Sequence, residues 1–184
     1  KEEKASWLNL YAQLICGDES LFKTKGTNGR NVLHQAAMCG NVQFIRVLAL
    51  LIPYAKYSAL LLEKDSEESS TPLHLAVKYG HSQSIATLLL MEPKAVHITD
   101  KNMNTPLHVA CLKLSNIMTV DGKKKRESQD EDEFQADQTK FFSVAVQIVR
   151  SGGELNKVNS AKASCQKLLE AAKLDKRLQL SIRI

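Results

Sequence analysis

Histidine and cysteine are the side chains best suited to act as base, nucleophile or metal ligand, so their placement is the first test of chemistry. Cys16, Cys39, Cys111 and Cys165 form no close pair and no Cys-x-x-Cys, which indicates neither a zinc site nor a redox motif. They are expected to be free, mostly buried thiols of a reducing compartment. His34, His74 and His108 occupy the same position of a recurring word, while His81 sits at a turn and His97 in an exit loop. The chain has no glycine-rich phosphate loop, no His-Glu-x-x-His and no Gly-x-Ser-x-Gly. The expectation is therefore no catalytic residue, no metal, no cofactor and no enzyme activity.

The word itself positions these histidines. Thr71-Pro72-Leu73-His74-Leu75-Ala76 returns 34 residues later as Thr105-Pro106-Leu107-His108-Val109-Ala110, and Asn31-Val32-Leu33-His34-Gln35-Ala36 is an earlier, degraded copy. Thr71 and Thr105 can cap a helix with a side-chain oxygen. Pro72 and Pro106 suit the first helical position, where an amide hydrogen would lack a partner anyway. Leu73 with Ala76, and Leu107 with Ala110, lie three apart on one helical face. Gly40 and Gly80 stand where the chain must turn, with an expected positive φ. After Gly80-His81, the run Ile85-Ala86-Thr87-Leu88-Leu89-Leu90 reads as a second helix.

This period and these words resemble the ankyrin-repeat family. The resemblance implies an all-α solenoid of helix-turn-helix units joined by β-hairpin-type loops, and an inter-repeat hydrogen bond from each recurring histidine. One domain over 1–184 is expected. Its parts are an N-terminal half repeat (5–25), repeat 1 with an enlarged end (26–65), repeat 2 (66–99), repeat 3 with a charged insertion at about 115–140 (100–158), and a degenerate C-terminal cap (159–184). Trp7, Leu8, Leu10, Tyr11, Leu14 and Ile15 give the half repeat its helical apolar pattern. Leu168, Leu169, Ala172 and Leu178 are expected to form the buried face of the cap.

Two repeats exceed the period. The step from Asn31 to Thr71 is 40 residues, with the excess around Pro53 to Ser70. In repeat 3, Leu114-Ser115 replaces the glycine turn, the second helix is expected to resume near Phe141, and about 26 residues are extra, mostly between Asn116 and Gln138. That insertion runs from Lys123-Lys124-Lys125-Arg126 through Ser128 to Asp130-Glu131-Asp132-Glu133, a base-then-acid block expected to form a mobile loop. Lys123, Lys124, Lys125 and Arg126 are a candidate nuclear-import signal, and Ser128, with acid three residues on, a candidate phosphosite.

The bulk numbers suit a binding module. The chain has 184 residues, 43% hydrophobic and 24% charged, which is a globular balance, and its aromatic share of 5% requires an aliphatic core. No run of about 18 apolar residues exists, so no membrane span is expected. There is no basic-then-apolar leader, so an intracellular protein is expected, cytoplasmic and, if the signal acts, nuclear. The initial Lys1 suggests a piece of a longer protein.

The resemblance places the partner-facing positions between the framework residues. They are Thr27, Asn28, Arg30, Met38 and Cys39 in repeat 1, then Glu67, Glu68, Ser70, Lys78 and Tyr79 in repeat 2, then Lys101, Asn102, Asn104, Leu112 and Lys113 in repeat 3. The expected function is a protein–protein interaction module or scaffold with a concave binding face. A narrower resemblance, through Thr71 to Val77 and Asn104 to Cys111, is to inhibitors of NF-κB, implying a Rel-type partner. The absence of Asp-Ser-Gly-x-x-Ser departs from that group. A third reading uses the basic residues Lys162, Lys167, Lys173, Lys176, Arg177 and Arg183 to bind nucleic acid or another acidic surface, but the net charge of +5 is mild and does not argue for nucleic acid. No small-molecule substrate is expected.

Overall fold

The computed structural model describes residues 25–118 and 131–171. Among the described residues the chain forms α1 (Val32–Cys39), α2 (Val42–Leu51), α3 (Tyr54–Leu62), α4 (Pro72–Tyr79), α5 (Ser82–Met91), α6 (Pro106–Met118), α7 (Glu131–Arg150) and α8 (Cys165–Ala171). Short 3-10 turns occupy Thr27–Gly29 and Pro93–His97. One isolated antiparallel bridge, Val158 to Ser164, is the extent of β pairing among the described residues. Helices α1, α4, α6 and α8 pack in sequence as one layer, and α2, α5 and α7 as a second layer behind them. The fold is the expected all-α solenoid.

The recurring word builds the first helix of each unit. At α4 the Nδ1 of His74 accepts from the Thr71 amide at 3.3 Å and lies 2.8 Å from the Thr71 hydroxyl, a capping box closed by an imidazole. Thr105 and His108 repeat it at 3.2 and 2.8 Å. At α1 Asn31 is the cap, and its Oδ1 accepts from the His34 amide at 3.1 Å. Gly40 and Gly80 end α1 and α4 with φ of 69° and 70°, and their amides reach back to the last helical carbonyls. A Cβ on Gly40 would lie 2.6 Å from the His81 ring, which packs across the joint and meets the Met38 carbonyl at 3.0 Å through Nε2.

The second helices carry one burial pattern at changing intervals. Phe44, Ile45 and Leu48 are buried in α2; Ser84, Ile85 and Leu88 in α5; Val144, Ala145 and Ile148 in α7. The offsets are 40 and 60 residues, so the third unit is in register with the others once its extra residues are set aside. All of these buried residues but Ser84, with Leu33, Leu73, Leu107 and Leu114, form one continuous apolar core. Truncating any one of these leucines or isoleucines to Ala should cost roughly 2–5 kcal/mol.

The excess of the first repeat falls where the sequence places it, while the third repeat differs from the expectation. The extra residues after α2 form a helix, α3, which buries Tyr57, Leu60 and Leu61. It is tied to the next unit by Glu92, whose Oε2 accepts from Ser58 Oγ at 2.5 Å and from Tyr54 Oη at 2.9 Å. In repeat 3 the second helix starts at Glu131, not near Phe141, so the segment expected to be a loop is helical from 131 onward. Helix α6 likewise runs on to Met118, past Asn116. The stretch from Glu131 to Lys140 contains good helix formers, Glu, Gln, Ala and Lys, and joins an established helix without a new nucleation step. The N-terminal half repeat, the candidate import signal Lys123 to Arg126, Ser128, and the cap beyond residue 171 lie outside the described residues.

Candidate functional site

The loops that face one edge of the stack are built on a recurring Asx turn. Asp65 Oδ1 accepts from the amides of Glu68 (3.0 Å) and Ser70 (2.9 Å). Asp100 Oδ1 does the same for Asn102 and Asn104, both at 2.8 Å. Asn159 Oδ1 accepts from Ala161 (3.1 Å) and Ala163 (3.0 Å). Each turn is also closed by a backbone bond, from Asp65 to Ser70, Asp100 to Asn104 and Asn159 to Ala163. Neighbouring tips are stitched by amides donating across the joint: Ser66 to Asn28, Lys101 to Glu68, and Ser160 to Asn102. Asp65 is buried, which pushes its carboxyl up, but the Ser70 and Glu68 amides and the Arg30 guanidinium outweigh burial and hold it below the usual carboxylate range.

This equivalence identifies the segment at 159–171 as the start of a further unit. Ser164 stands where Thr105 stands, and its Oγ accepts from the Lys167 amide at 3.3 Å. Ser-Cys-Gln-Lys replaces Thr-Pro-Leu-His, so the word that marks the other units is absent although its geometry is present.

Most of the predicted partner-facing charges are engaged within the stack. Arg30 pairs with Asp65 at 3.3 Å and Glu67 at 3.0 Å, and its Nη1 lies 3.7 Å from Met38 Sδ. Lys78 pairs with Glu68 at 3.1 Å, and Lys101 Nζ donates to the Glu67 carbonyl at 3.1 Å. Tyr79 is 45% exposed, its ring stacked on His81 with centroids 6.3 Å apart. Asn102 and Lys101 are exposed at the tip. Two of the expected residues are interior instead. Asn104 is only 7% exposed; its Nδ2 donates to Asp100 Oδ2 at 3.1 Å and its Oδ1 accepts from Asn159 Nδ2 at 2.8 Å. Ser70 is buried in the same way, because the residue before each cap must turn its carbonyl toward the preceding histidine.

Between α4 and α6, on the side of the tips, lies a cleft of about 200 Å³. Lys78, Asp100, Asn102, Leu112, Lys113 and Asn116 are among the residues that line it. It combines two cations, two carboxylates, amides and two aliphatic side chains, which suits a peptide segment carrying both charged and apolar groups. Seven of the residues predicted from sequence to face a partner share this cleft: Glu68, Lys78, Asn102, Leu112 and Lys113, and the interior Ser70 and Asn104. Arg30 and Met38 lie one unit away.

The histidines form the joints behind that face. His34 Nε2 donates to the Ser70 carbonyl at 3.0 Å and His74 Nε2 to the Asn104 carbonyl at 3.0 Å. Burial is the main reason both imidazoles sit below their ordinary value, His74 at about 4. His108 departs from this pattern. Its Nδ1 is capped like the others, but Nε2 is buried without a hydrogen bond of acceptable geometry. The Cys165 thiol takes the neighbouring space and also contacts Cys111. Sequence spacing gave no sign of this pair, which stands 54 residues apart; aligning Ser164 with Thr105 would have revealed it.

The family model for ankyrin repeats in three copies matches residues 5–100 and 50–120. The chain belongs to the ankyrin-repeat family. A cation channel of Caenorhabditis elegans, a homolog of transient receptor potential subfamily A member 1, is 27% identical over 145 residues, 74% of this chain and 11% of its own length. Inversin of Canis lupus familiaris is 41% identical over 80 residues, 43% of this chain and 7% of its own. Ankyrin repeat protein nuc-2 of Neurospora crassa is 32% identical over 80 residues, 44% of this chain and 7% of its own. The chain thus spans about a tenth or less of the relatives it matches. Ankyrin stacks are generally protein-interaction modules and typically non-enzymatic. Among the described residues no helix is long and apolar enough to cross a membrane.

Proposed function

We propose that this ankyrin stack binds a partner protein through the cleft between α4 and α6, with Lys78, Tyr79, Asn102 and Lys113 as its contacts. The observation that carries this reading is the coincidence of the cleft with residues that the repeat leaves free to vary: Lys78, Asn102 and Lys113 line it, while the framework residues around them are consumed by caps and joints. Leu112 in the lining and the exposed Tyr79 next to Lys78 in sequence add apolar contact area, and aromatic groups are the kind that carry interface energy. Arg30, Glu67, Glu68 and Lys101 serve mainly to fix the tips, so they shape the face more than they grip a partner. The narrower likeness to NF-κB inhibitors gains nothing from the geometry, since the words that carry it act in capping and joint formation.

Photo-crosslinking tests the proposal. A crosslinking side chain at position 113 should capture a partner, while one at Ala86, exposed on α5, should not. Charge reversal of Lys78 should weaken that capture without changing the thermal transition. Equal capture from 86 and 113, or indifference to Lys78→Glu in a folded variant, would place the binding face elsewhere.

A further inference from the structure

The joint between α6 and α8 encloses three reactive groups in one buried place: the His108 imidazole and the thiols of Cys111 and Cys165, each with no exposed surface. In the two preceding joints the corresponding imidazole is satisfied by a carbonyl at 3.0 Å. Here Nδ1 is held by Thr105 at 2.8 Å, while Nε2 is buried near the Lys157 and Ala163 carbonyls and the Cys165 sulfur without a hydrogen bond of acceptable geometry to any of them. What distinguishes this joint is Cys165, which stands at the first helical position where the other units of this word have Pro72 and Pro106. Its sulfur lies against both His108 and Cys111. Both cysteines are free thiols, and among the described residues no three ligating groups are arranged to hold a metal.

We propose that Cys165 is an oxidisable nucleophile, with Cys111 as its resolving thiol and a small hydroperoxide as its substrate, and that the resulting disulfide fastens α8 to α6. The electronic setting agrees with the geometry. Contact with Cys111 first, and with His108 second, lowers the Cys165 thiol against the effect of burial, while Cys165 and burial together raise Cys111. Burial lowers His108, but the Cys165 sulfur, together with the Lys157 and Ala163 backbone carbonyls, outweighs it and favours the imidazolium. These influences favour charge separation between the Cys165 sulfur and the His108 ring, with the Cys111 S–H as a hydrogen-bond donor to that sulfur.

The chemistry balances. The Cys165 sulfur attacks the terminal oxygen of the hydroperoxide and the O–O bond breaks. The departing oxygen takes a proton from His108 and leaves as water or an alcohol. Sulfur has then lost two electrons as a sulfenic acid, and the peroxide has gained them. Cys111 attacks that sulfur, the S–O bond breaks, and hydroxide leaves with the Cys111 proton as water. Two thiols and one hydroperoxide yield one disulfide, one alcohol or water, and one further water. Access requires the joint to open, and a short helix packed chiefly on one neighbour, as α8 is on α6, opens at lower cost than the interior of the stack.

The test uses the 184-residue chain with Cys16→Ser and Cys39→Ser, so that two thiols remain. Hydrogen peroxide should remove both, lower the intact mass by two hydrogens, and give a linked peptide joining Cys111 to Cys165 that dithiothreitol separates. Cys111→Ser should stop at a sulfenic acid on Cys165, trapped by a 1,3-diketone, whereas Cys165→Ser should leave Cys111 unoxidised. His108→Gln should slow oxidation at least about tenfold and flatten its pH profile near neutrality. Should a variant lose its fold, hydrogen exchange on the unsubstituted joint still decides, since oxidation must slow exchange of the α8 amides. Two free thiols after peroxide treatment, or a disulfide that leaves α8 exchange unchanged, would overturn the proposal.

Discussion

His74 holds its place as a neutral ring, because Nε2–H is given to the Asn104 carbonyl and Nδ1 accepts from the Thr71 amide. Protonating Nδ1 breaks that second bond in a site with 2% exposure. Its folded value, about 4, lies below the ordinary 6.5, so between those values the unfolded chain binds the extra proton. Stability is therefore full above pH 6.5 and falls as the pH drops toward 4, with a loss on the order of 3 kcal/mol from this residue. His74→Asn should cost about 1–3 kcal/mol at pH 7 by leaving partners unpaired, and urea unfolding of the two proteins should converge near pH 4.5. Parallel curves across that range would mean that His74 is not the titrating group. Asp65 offers a second contrast. Its Oδ1 holds two amides and its Oδ2 holds Arg30, whereas Asn159 does the first task without a charge. Asp65→Asn should accordingly cost about 1 kcal/mol and Asp65→Ala about 2–3 kcal/mol in denaturant midpoints. Equal losses would show that the ion pair, not the turn, carries the energy.

At the scale of elements, what could be read in advance was whatever is encoded locally. Thr-Pro-Leu-His contains its own cap, first residue, core contact and joint, so α4 and α6 were legible to within a residue or two at their starts. Helix α3 was legible only as an excess of residues around Pro53 to Ser70, because no recurring word marks it. Yet Tyr57, Leu60 and Leu61 stand at helical spacing and are all buried. Helix α8 was legible from its apolar spacing, with Leu169 buried and Leu168 packed against the core, but its place as a further unit was not, because Ser-Cys-Gln-Lys keeps the cap and lacks the proline and the histidine. The cleft was half legible, since the repeat indicates which positions vary, but not that Ser70 and Asn104 turn inward. Helix α3 supplies a sharp prediction. Tyr57 is 1% exposed, its hydroxyl has no hydrogen-bond partner among the described residues, and burial pushes that hydroxyl well above its ordinary value. An unsatisfied buried donor costs about 1–3 kcal/mol, so Tyr57→Phe should leave stability unchanged or raise it by up to about that amount. A loss above about 1 kcal/mol in thermal unfolding would reveal a partner for the hydroxyl.

Among the described residues the molecule is a stack whose units pack mainly on their neighbours, which makes its stability approximately a sum of units and joints. Its third unit is the informative one, because an extended helical pair and residues 119–130 interrupt the period while the buried pattern Val144, Ala145, Ile148 stays in register with Ser84, Ile85, Leu88. If register alone specifies the packing, the interruption is dispensable to the fold. Removing residues 115–140 brings Leu114 to the position of Gly80 and Phe141 to that of His81, so Leu114→Gly and Phe141→His would supply the turn that the second unit uses. Leu114 is fully buried, and losing it costs roughly 2–5 kcal/mol. The shortened chain should therefore unfold in one cooperative transition at a lower temperature, with helicity reduced only by the excised turns. Hydrogen exchange should show α8 still protected, since its contacts with His108 and Cys111 lie before the cut. Loss of cooperativity, or free exchange throughout α8, would mean that the extended helices hold the last joint in place. The same variant lacks Lys123 to Arg126 and Ser128, so its distribution in cells decides their role: a folded protein that remains as nuclear as the full chain would dispose of the import signal.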